Sequence, residues 1–188
     1  MDRRKFLVWA TNGMGAVFAT VLGLPALAYL VDPLNRQGRA TGFRTVARLD
    51  DLTPLVPLEA VIQETRRDAW NLHPDDIVGR VWLVRQGAGD AVTAFTTICP
   101  HLGCSVNWVP PSAGQPPESG QFLCPCHGGR YTQKGERVLH GTGTNPAPRG
   151  MDTLDVQLVP DPANPSDKLV QVKYQRFKAM QEKKELES

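Results

Sequence analysis

The sequence predicts an all-β domain joined to a single N-terminal transmembrane helix. Near the N-terminus a long apolar run carries no ionisable side chain, and the rest of the chain consists of short β-type runs between turn residues. The chain's 17 Gly and 16 Pro favour a loop-rich β domain over a helical bundle. Its 21 basic and 19 acidic residues leave a net charge of +2, which gives no indication of a nucleic-acid partner.

The N-terminal segment, residues 1–31, is predicted to be a membrane anchor. Its apolar run, Phe6 to Val31, exceeds the roughly 20 residues that cross a bilayer, and the alternative is a buried core helix. The basic residues before the run, Arg3, Arg4 and Lys5, favour a cytoplasmic N-terminus, and the paired arginines resemble a twin-arginine export signal. Apolar residues continue after the small-residue stretch 26–28, so we expect the anchor to remain uncleaved.

The remaining chain divides into three predicted parts. Residues 32–42 are polar, contain Pro33 and two glycines, and are predicted to be a flexible tether, with an ordinary loop as the alternative. Residues 43–175 are predicted to be the β domain, and the charged residues 176–188 a helical tail. The predicted strands are Leu58–Thr65, Gly79–Arg85, Ala91–Thr96, Val106–Val109, Gln121–Leu123, Arg130–Thr132, Glu136–Leu139, Leu154–Val159 and Leu169–Tyr174.

Two short loops contain all four cysteines and two of the four histidines. They are Cys99-Pro100-His101-Leu102-Gly103-Cys104 and Cys124-Pro125-Cys126-His127-Gly128-Gly129. Each offers one Cys and one His at ligand spacing, and this set can hold a [2Fe–2S] cluster with both histidines on one iron. Zinc is the main alternative, but zinc sites usually pair Cys with Cys and His with His. A zinc site would also leave Cys104 and Cys126 without a role.

The Cys-x-His-x-x-Cys and Cys-x-Cys-His motifs resemble those of the Rieske iron–sulfur proteins. The resemblance implies an antiparallel β sandwich with a small cluster-binding β subdomain, which carries one [2Fe–2S] cluster. It implies that Cys99 and Cys124 bind the inner iron as thiolates. It also implies that His101 and His127 bind the outer iron through ring nitrogens.

Further residues resemble the quinol-oxidising branch of this family. Cys104 and Cys126 correspond to a pair that forms a disulfide between the two loops in that branch, and a disulfide suits an oxidising compartment. The segment around Pro146 and Pro148 resembles a Gly-Pro-Ala-Pro loop that covers the cluster. Asn145 stands there in place of the usual first Gly.

Two positions bear on the reduction potential of the implied cluster. Tyr131 corresponds to a tyrosine whose hydroxyl donates to a ligand sulfur. Gly129 stands where many high-potential members have Ser, whose hydroxyl would stabilise the reduced, more negative cluster. Its absence predicts a lower potential and favours menaquinol as substrate, because menaquinol is the stronger reductant. Pro100 replaces the more usual Thr.

The resemblance implies the Rieske subunit of a bacterial cytochrome bc-type quinol:cytochrome c oxidoreductase, with its head on the outer side of the cytoplasmic membrane. The implied partners are a cytochrome b subunit, which shares the quinol pocket, and a c-type cytochrome. His127 is the implied quinol-facing ligand, and Leu102 the implied docking residue. The alternatives are the small subunit of an arsenite-oxidase-like enzyme, a free-standing Rieske carrier and a zinc-bound β module. His73 and His140 are interpreted as surface histidines.

Overall fold

The computed structural model describes residues 2–35, 42–68, 71–139 and 145–187. The chain divides into two compact units, Met1–Ala40 and Thr41–Ser188. In its described part the first unit is one helix, α1 (Arg3–Asn35), and the second contains nine strands. The predicted combination of an all-β domain and a single N-terminal apolar helix is confirmed.

Helix α1 has the length and composition of a membrane span. Within Arg3–Val31 an 18-residue window has a mean hydropathy of 2.0, and none of that window is buried within the structure. Trp9 and Tyr29 are 76% and 79% exposed. They lie about 30 Å apart along the helix axis, which is close to the thickness of the bilayer hydrocarbon. Trp and Tyr concentrate at the two membrane–water interfaces, so their positions fit a spanning helix.

The helix continues beyond the predicted anchor, through Asn35. The first residues of the predicted tether, 32–35, are therefore helical. The extension passes through Pro33, although proline is the poorest helix former. Residues 36–41, which form most of the predicted tether, lie outside the described part of the chain.

The strands of the second unit form two antiparallel sheets. The larger sheet has the strand order β1-β9-β8-β4-β3-β2, and the smaller has the order β5-β6-β7. The strands are β1 (Phe43–Arg48), β2 (Leu58–Asp68), β3 (Asn71–Arg85), β4 (Val92–Thr96), β5 (Asn107–Val109), β6 (Gln121–Leu123), β7 (Arg130–Thr132), β8 (Thr153–Pro160) and β9 (Lys168–Lys173).

The larger sheet folds back on itself around one core. Its two halves are joined by only two residue pairs, between β4 and β8. Arg44 of β1 lies 3.1 Å from Glu64 of β2, although these strands stand at opposite ends of the strand order. The enclosed core contains buried side chains from both halves: Ala60, Ile62, Val81, Leu83, Ala94, Leu154, Val170 and Val172.

The hairpin of β2 and β3 is longer than predicted. The predicted first strand ends at Thr65 and the predicted second strand begins at Gly79. In the structure the two strands remain paired as far as Asp68 and Asn71. Pro74 interrupts the β pattern in the sequence because it has no N–H to donate to the ladder. The structure accommodates this proline through a shift of register between the two strands.

The smaller sheet is fastened to the larger one by aromatic packing. Phe122 of β6 is fully buried, and its ring centroid lies 5.6 Å from that of Trp82 and 4.9 Å from that of Trp108. The indole nitrogen of Trp82 donates to the Val106 carbonyl at 2.9 Å. The prediction of a strand at residues 136–139 is wrong. Arg137 forms a single bridge to Tyr131 of β7, and β7 is itself only three residues long.

The C-terminal tail is not helical, which corrects the prediction for residues 176–188. Through residue 187 the chain turns back on itself, and Phe177 forms a β-bridge with Leu186. Phe177 is 9% exposed and belongs to the larger core. Burying such a side chain contributes roughly 1.5–3 kcal/mol. An exposed i,i+4 ion pair contributes about 0.2–0.5 kcal/mol, and a helix this short is marginal alone.

Candidate metal centre

The smaller sheet brings the two cysteine loops together. The first loop (residues 99–104) connects β4 to β5, and the second (residues 124–129) connects β6 to β7. Strands β5 and β6 are paired neighbours, with Asn107 opposite Leu123, so the end of the first loop lies beside the start of the second. A bridge between Ile98 and Ser105 closes the first loop at its base.

The two loops have the same internal hydrogen bonding. In the first, the Cys99 amide donates to the Cys104 carbonyl at 2.8 Å and the Gly103 amide to the Cys99 carbonyl at 3.0 Å. In the second, the Cys124 amide donates to the Gly129 carbonyl at 2.8 Å and the Gly128 amide to the Cys124 carbonyl at 3.1 Å. Gly103 and Gly128 have φ values of 82° and 71°, in the left-handed region that favours glycine. The two loops therefore resemble each other in backbone structure as well as in amino-acid sequence.

Cys99 and Cys124 are free thiols in the interior of the site. They are 1% and 2% exposed and belong to the same buried cluster as Tyr131. Burial raises the pKa of the Cys99 thiol, although hydrogen bonds from the Tyr131 hydroxyl and the His101 amide oppose this. The neighbouring Cys124 thiol raises the same pKa further.

Tyr131 contacts one of these sulfurs directly. Its hydroxyl oxygen lies 3.2 Å from Cys99 Sγ, within hydrogen-bonding distance for sulfur. Burial, together with Cys99, raises the pKa of Tyr131 above its ordinary value, so the hydroxyl keeps its proton. When Cys99 is a thiolate, Tyr131 is necessarily the donor.

The two histidines lie together on the outer side of the loops. The ring centroids of His101 and His127 are 4.7 Å apart, and the rings are nearly perpendicular. His101 is half-buried and His127 is exposed, in contrast to the two buried thiols. The structure therefore arranges the four side chains with sulfur inside and imidazole outside.

A disulfide between Cys104 and Cys126 joins the two loops, as the resemblance implied. Both sulfurs of this bond lie within 4.8 Å of Cys124 Sγ. These three sulfurs do not form a separate metal site, because two of them are bonded to each other and are not thiolates. The disulfide instead ties the two loops to each other beside the Cys124 thiol.

The donor set fits a [2Fe–2S] cluster with two thiolate and two imidazole ligands. Cys99 and Cys124 are unpaired and mutually close, and the other two cysteines are consumed by the disulfide. The sulfurs are shielded from water while the imidazoles reach the surface. This asymmetry matches the inner and outer iron positions expected from the sequence.

A third segment packs against the loops. Ala147 is 1% exposed and lies in the same buried cluster as Cys99 and Cys124, while Pro146 and Pro148 on either side are half-buried. We call residues 145–150 the covering segment. Its buried alanine belongs to the same hydrophobic cluster as both free thiols.

Side chains of three residues hold the covering segment in place, and sequence reasoning assigned a role to none of them. Asn145 donates through Nδ2 to the Arg130 carbonyl at 2.6 Å and accepts from the Ala147 amide at 3.1 Å. Arg137 donates to the carbonyls of Pro148 and Asn145. Arg149 forms a two-point ion pair with Asp152, both contacts being 2.8 Å. The only available signal was Asn145 in place of the usual Gly.

Gly129 lies against the same groups. A Cβ at this position would be 3.2 Å from the Tyr131 hydroxyl and 3.6 Å from Cys124 Cβ. A side chain here would therefore reach the interior of the site and touch the hydroxyl that contacts Cys99. Its absence leaves that hydroxyl undisturbed.

The remaining predicted residues lie at the surface. Leu102, in the first loop, is 59% exposed although it is apolar. His73 is exposed on β3, which confirms its interpretation as a surface histidine. His140 lies outside the described residues.

Comparisons with known proteins agree with this site. The sequence profile of the Rieske [2Fe-2S] domain matches residues 60–153. The menaquinol:cytochrome c reductase iron-sulfur subunit of Bacillus subtilis is 30% identical over 138 residues, which are 73% of this chain and 77% of that protein. The subunit of the same name from Geobacillus thermodenitrificans is 31% identical, over 79% of this chain and 83% of its own length.

A third relative is the cytochrome b6-f complex iron-sulfur subunit of Chlorobaculum thiosulfatiphilum. It is 30% identical over 78% of this chain and 66% of its own length. The matched residues 60–153 contain both cysteine loops, the disulfide and the covering segment. The resemblance predicted from the loops is confirmed, as is the [2Fe–2S] cofactor, and the chain belongs to the Rieske [2Fe–2S] domain family.

Proposed function

We propose that this chain is the Rieske subunit of a bacterial cytochrome bc-type complex, which oxidises menaquinol and passes one electron to a c-type cytochrome. The observation that carries the proposal is the pair of histidines on the outer side of two buried free thiols, in two loops that a separate disulfide joins. The two relatives that are 30% and 31% identical are named as subunits of menaquinol:cytochrome c reductases, which supports the same substrate and acceptor.

In this proposal Cys99 and Cys124 would hold the inner iron, and His101 and His127 would hold the outer iron. When bound, the cluster supplies a one-electron acceptor of the Rieske class, whose potentials span about −150 to +300 mV. The exposed His127 imidazole accepts a hydrogen bond from the quinol hydroxyl at its free ring nitrogen and then takes the proton. The buried thiolates keep water away from the inner side of the site.

Leu102 docks the tip of the head at the quinol pocket of a cytochrome b subunit. Its side chain is 59% exposed and follows directly after His101, so an apolar contact there lies next to a ligand histidine. The apolar surface of an exposed Leu is removed from water only when a partner covers it, and this removal is favourable. Docking would therefore stabilise the position in which the imidazole meets the quinol.

Helix α1 anchors the head in the bacterial cytoplasmic membrane. The basic residues 3–5 favour a cytoplasmic N-terminus, which places the head on the outer side, and Arg3 and Arg4 form a twin-arginine signal that exports the folded head. We propose residues 1–31 as the anchor segment, 32–42 as the tether, 43–175 as the Rieske domain and 176–188 as the tail. The tether lets the head move between cytochrome b and the c-type haem.

The experiment is purification of the full chain from its membrane in mild detergent. We expect b- and c-type haems to purify with it and the preparation to reduce cytochrome c with menaquinol. Purification with a molybdenum subunit, or with no haem protein, would overturn the proposal in favour of an arsenite-oxidase-like enzyme or a free carrier.

A paired variant tests the docking residue. Leu102→Ala should lower menaquinol-dependent cytochrome c reduction at least about fivefold and raise the KM for quinol, with an unchanged cluster spectrum. Ile77→Ala removes an apolar side chain that is 54% exposed on β3 and should leave the rate unchanged. Equal rates in the two variants would contradict the role of Leu102.

A further inference from the structure

The C-terminal tail makes a backbone hydrogen bond to the first cysteine loop. The amide of Met180 donates to the carbonyl of Pro100 at 2.9 Å, and Pro100 stands between Cys99 and His101. Met180 has a φ of 58°, a left-handed conformation that a residue with a bulky side chain rarely adopts. Such a conformation persists only where the surroundings hold it, so the contact is a constrained part of the fold.

Arg149 holds the turn that presents this amide. Its guanidinium is 10% exposed and pairs with Asp152, whose side chain is 5% exposed. The same guanidinium donates to the carbonyls of Lys178, at 2.8 Å, and Gln181. These two residues flank the turn on both sides of Met180. A planar guanidinium with five donors can make the two-point pair with Asp152 and donate to both carbonyls at once, which exceeds the three donors of a lysine.

Two further contacts fasten the tail to the β domain. The ammonium of Lys184 donates to the Thr153 carbonyl at 2.6 Å and lies 4.5 Å from the centroid of the Phe177 ring. Phe177 is itself buried in the larger core. The tail is therefore anchored near both of its ends, and its turn is directed at the first loop.

The contact is specific to one of the two loops. Among the described residues, the tail's backbone hydrogen bonds include one to the first loop, at Pro100, and none to the second. The second loop has the same internal hydrogen bonds as the first, between Cys124, Gly128 and Gly129. Any effect of the tail on ligand geometry should thus fall on Cys99 and His101 alone.

We propose that the C-terminal tail, residues 176–187, is a clamp that positions the first cluster loop through the Met180–Pro100 hydrogen bond, with Arg149 as its positioning residue. Its effect on the cluster rests on the ligand roles of Cys99 and His101 proposed above. The clamp limits the opening of the first loop, keeps water from the Cys99 sulfur and fixes the His101 backbone.

The test replaces Met180 in the full chain, purified with its cluster in detergent. Met180→Pro removes the amide proton and cannot adopt the positive φ, whereas Met180→Gly keeps the N–H and adopts that φ freely. The side chain is 56% exposed, so neither change removes a buried group. The measurements are amide hydrogen exchange of the two loops and the midpoint potential of the cluster.

We expect Met180→Pro to accelerate exchange of the Cys99 and Gly103 amides at least about tenfold, which corresponds to about 1.4 kcal/mol of lost protection. The Cys124 and Gly128 amides of the second loop should change less than about twofold, and Met180→Gly should leave both loops unchanged. Because water reaching Cys99 stabilises the more negative reduced cluster, the midpoint potential should rise in Met180→Pro only. Equal acceleration of both loops, or of neither, would overturn the clamp.

A second pair keeps the test decisive if Met180→Pro does not fold. Lys184→Ala frees the tail from Thr153 without touching the covering segment and should accelerate exchange in the first loop alone. Arg176→Lys changes an exposed ion pair of the same tail and should have no effect. If the purified chain carries no [2Fe–2S] cluster, the proposed function fails. The exchange rates of the two loops, compared between each variant and the parent chain in the same cluster-free state, still decide the clamp, since the Met180–Pro100 hydrogen bond joins backbone atoms only.

Discussion

The Gly129→Ser variant tests how this chain sets the reduction potential of its site. A serine Cβ at this position lies 3.2 Å from the Tyr131 hydroxyl, 3.5 Å from Asn145 Oδ1 and 3.6 Å from Cys124 Cβ. Only the first distance is tighter than ordinary contact, so Tyr131 has to move by a few tenths of an ångström. The serine hydroxyl then lies in the interior of the site, where it can donate to a cluster sulfur.

The expected size follows from the charge of the cluster. A hydrogen bond to a charged acceptor contributes about 1.5–3 kcal/mol, and the reduced cluster carries one more negative charge than the oxidised one. We take the hydrogen bond to be stronger by about 1–1.5 kcal/mol in the reduced state than in the oxidised state. The midpoint potential then rises by roughly 45–65 mV, since a one-electron couple shifts by about 59 mV per 1.4 kcal/mol. Protein-film voltammetry measures this shift.

Gly129→Ala is the matched control, because it adds the same Cβ without the hydroxyl. Alanine displaces Tyr131 equally and weakens its contact with Cys99, which lies 3.2 Å away. The midpoint potential of Gly129→Ala should therefore stay at or below that of the unmodified chain. A serine variant whose potential is no higher than that of the alanine variant would refute the reasoning that links Gly129 to a lowered potential and to menaquinol.

Two other changes act on neighbouring groups. Tyr131→Phe removes the hydroxyl beside Cys99 and should lower the midpoint potential by about 40 mV, for a loss of about 1 kcal/mol in the reduced state; an unchanged potential would mean that the 3.2 Å contact is not a hydrogen bond to the thiolate. The double variant Cys104→Ala/Cys126→Ala opens a link across 22 residues and should lower the free energy of unfolding by about 3 kcal/mol, measured by denaturant titration. Its stability should no longer respond to reductant, and a stability equal to that of the oxidised parent would contradict a stabilising disulfide.

The ligand loops and the strands around them are largely predictable from the sequence. Spacing alone places one Cys and one His in each loop, and short β runs with turn residues between them predict β6 and β7 at the observed bounds. These features are local, since turn glycines and β-branched runs act through neighbouring residues. Cys104 and Cys126 were paired only through the resemblance, and the structure has that disulfide.

The parts that could not be predicted depend on contacts distant in sequence. Residues 176–188 have the composition of a charged helix, yet Phe177 finds a buried place in the core and Arg149 binds carbonyls about 30 residues further along the chain. The long β2–β3 hairpin passes through Pro74 because a register shift absorbs the missing donor. In each case tertiary contacts override a local preference. Such contacts leave no periodic pattern in the sequence from which they could be predicted.

The most direct test of the central claim is electron paramagnetic resonance of the reduced full chain with ¹⁵N-labelled histidine. If Cys99, His101, Cys124 and His127 hold a [2Fe–2S] cluster, the spectrum is the axial Rieske signal with couplings to two histidine nitrogens, and iron analysis gives two iron atoms per chain. A chain that contains zinc and no paramagnetic signal would contradict the account. A [2Fe–2S] signal without histidine coupling would contradict it as well, since the cluster would then have only thiolate ligands.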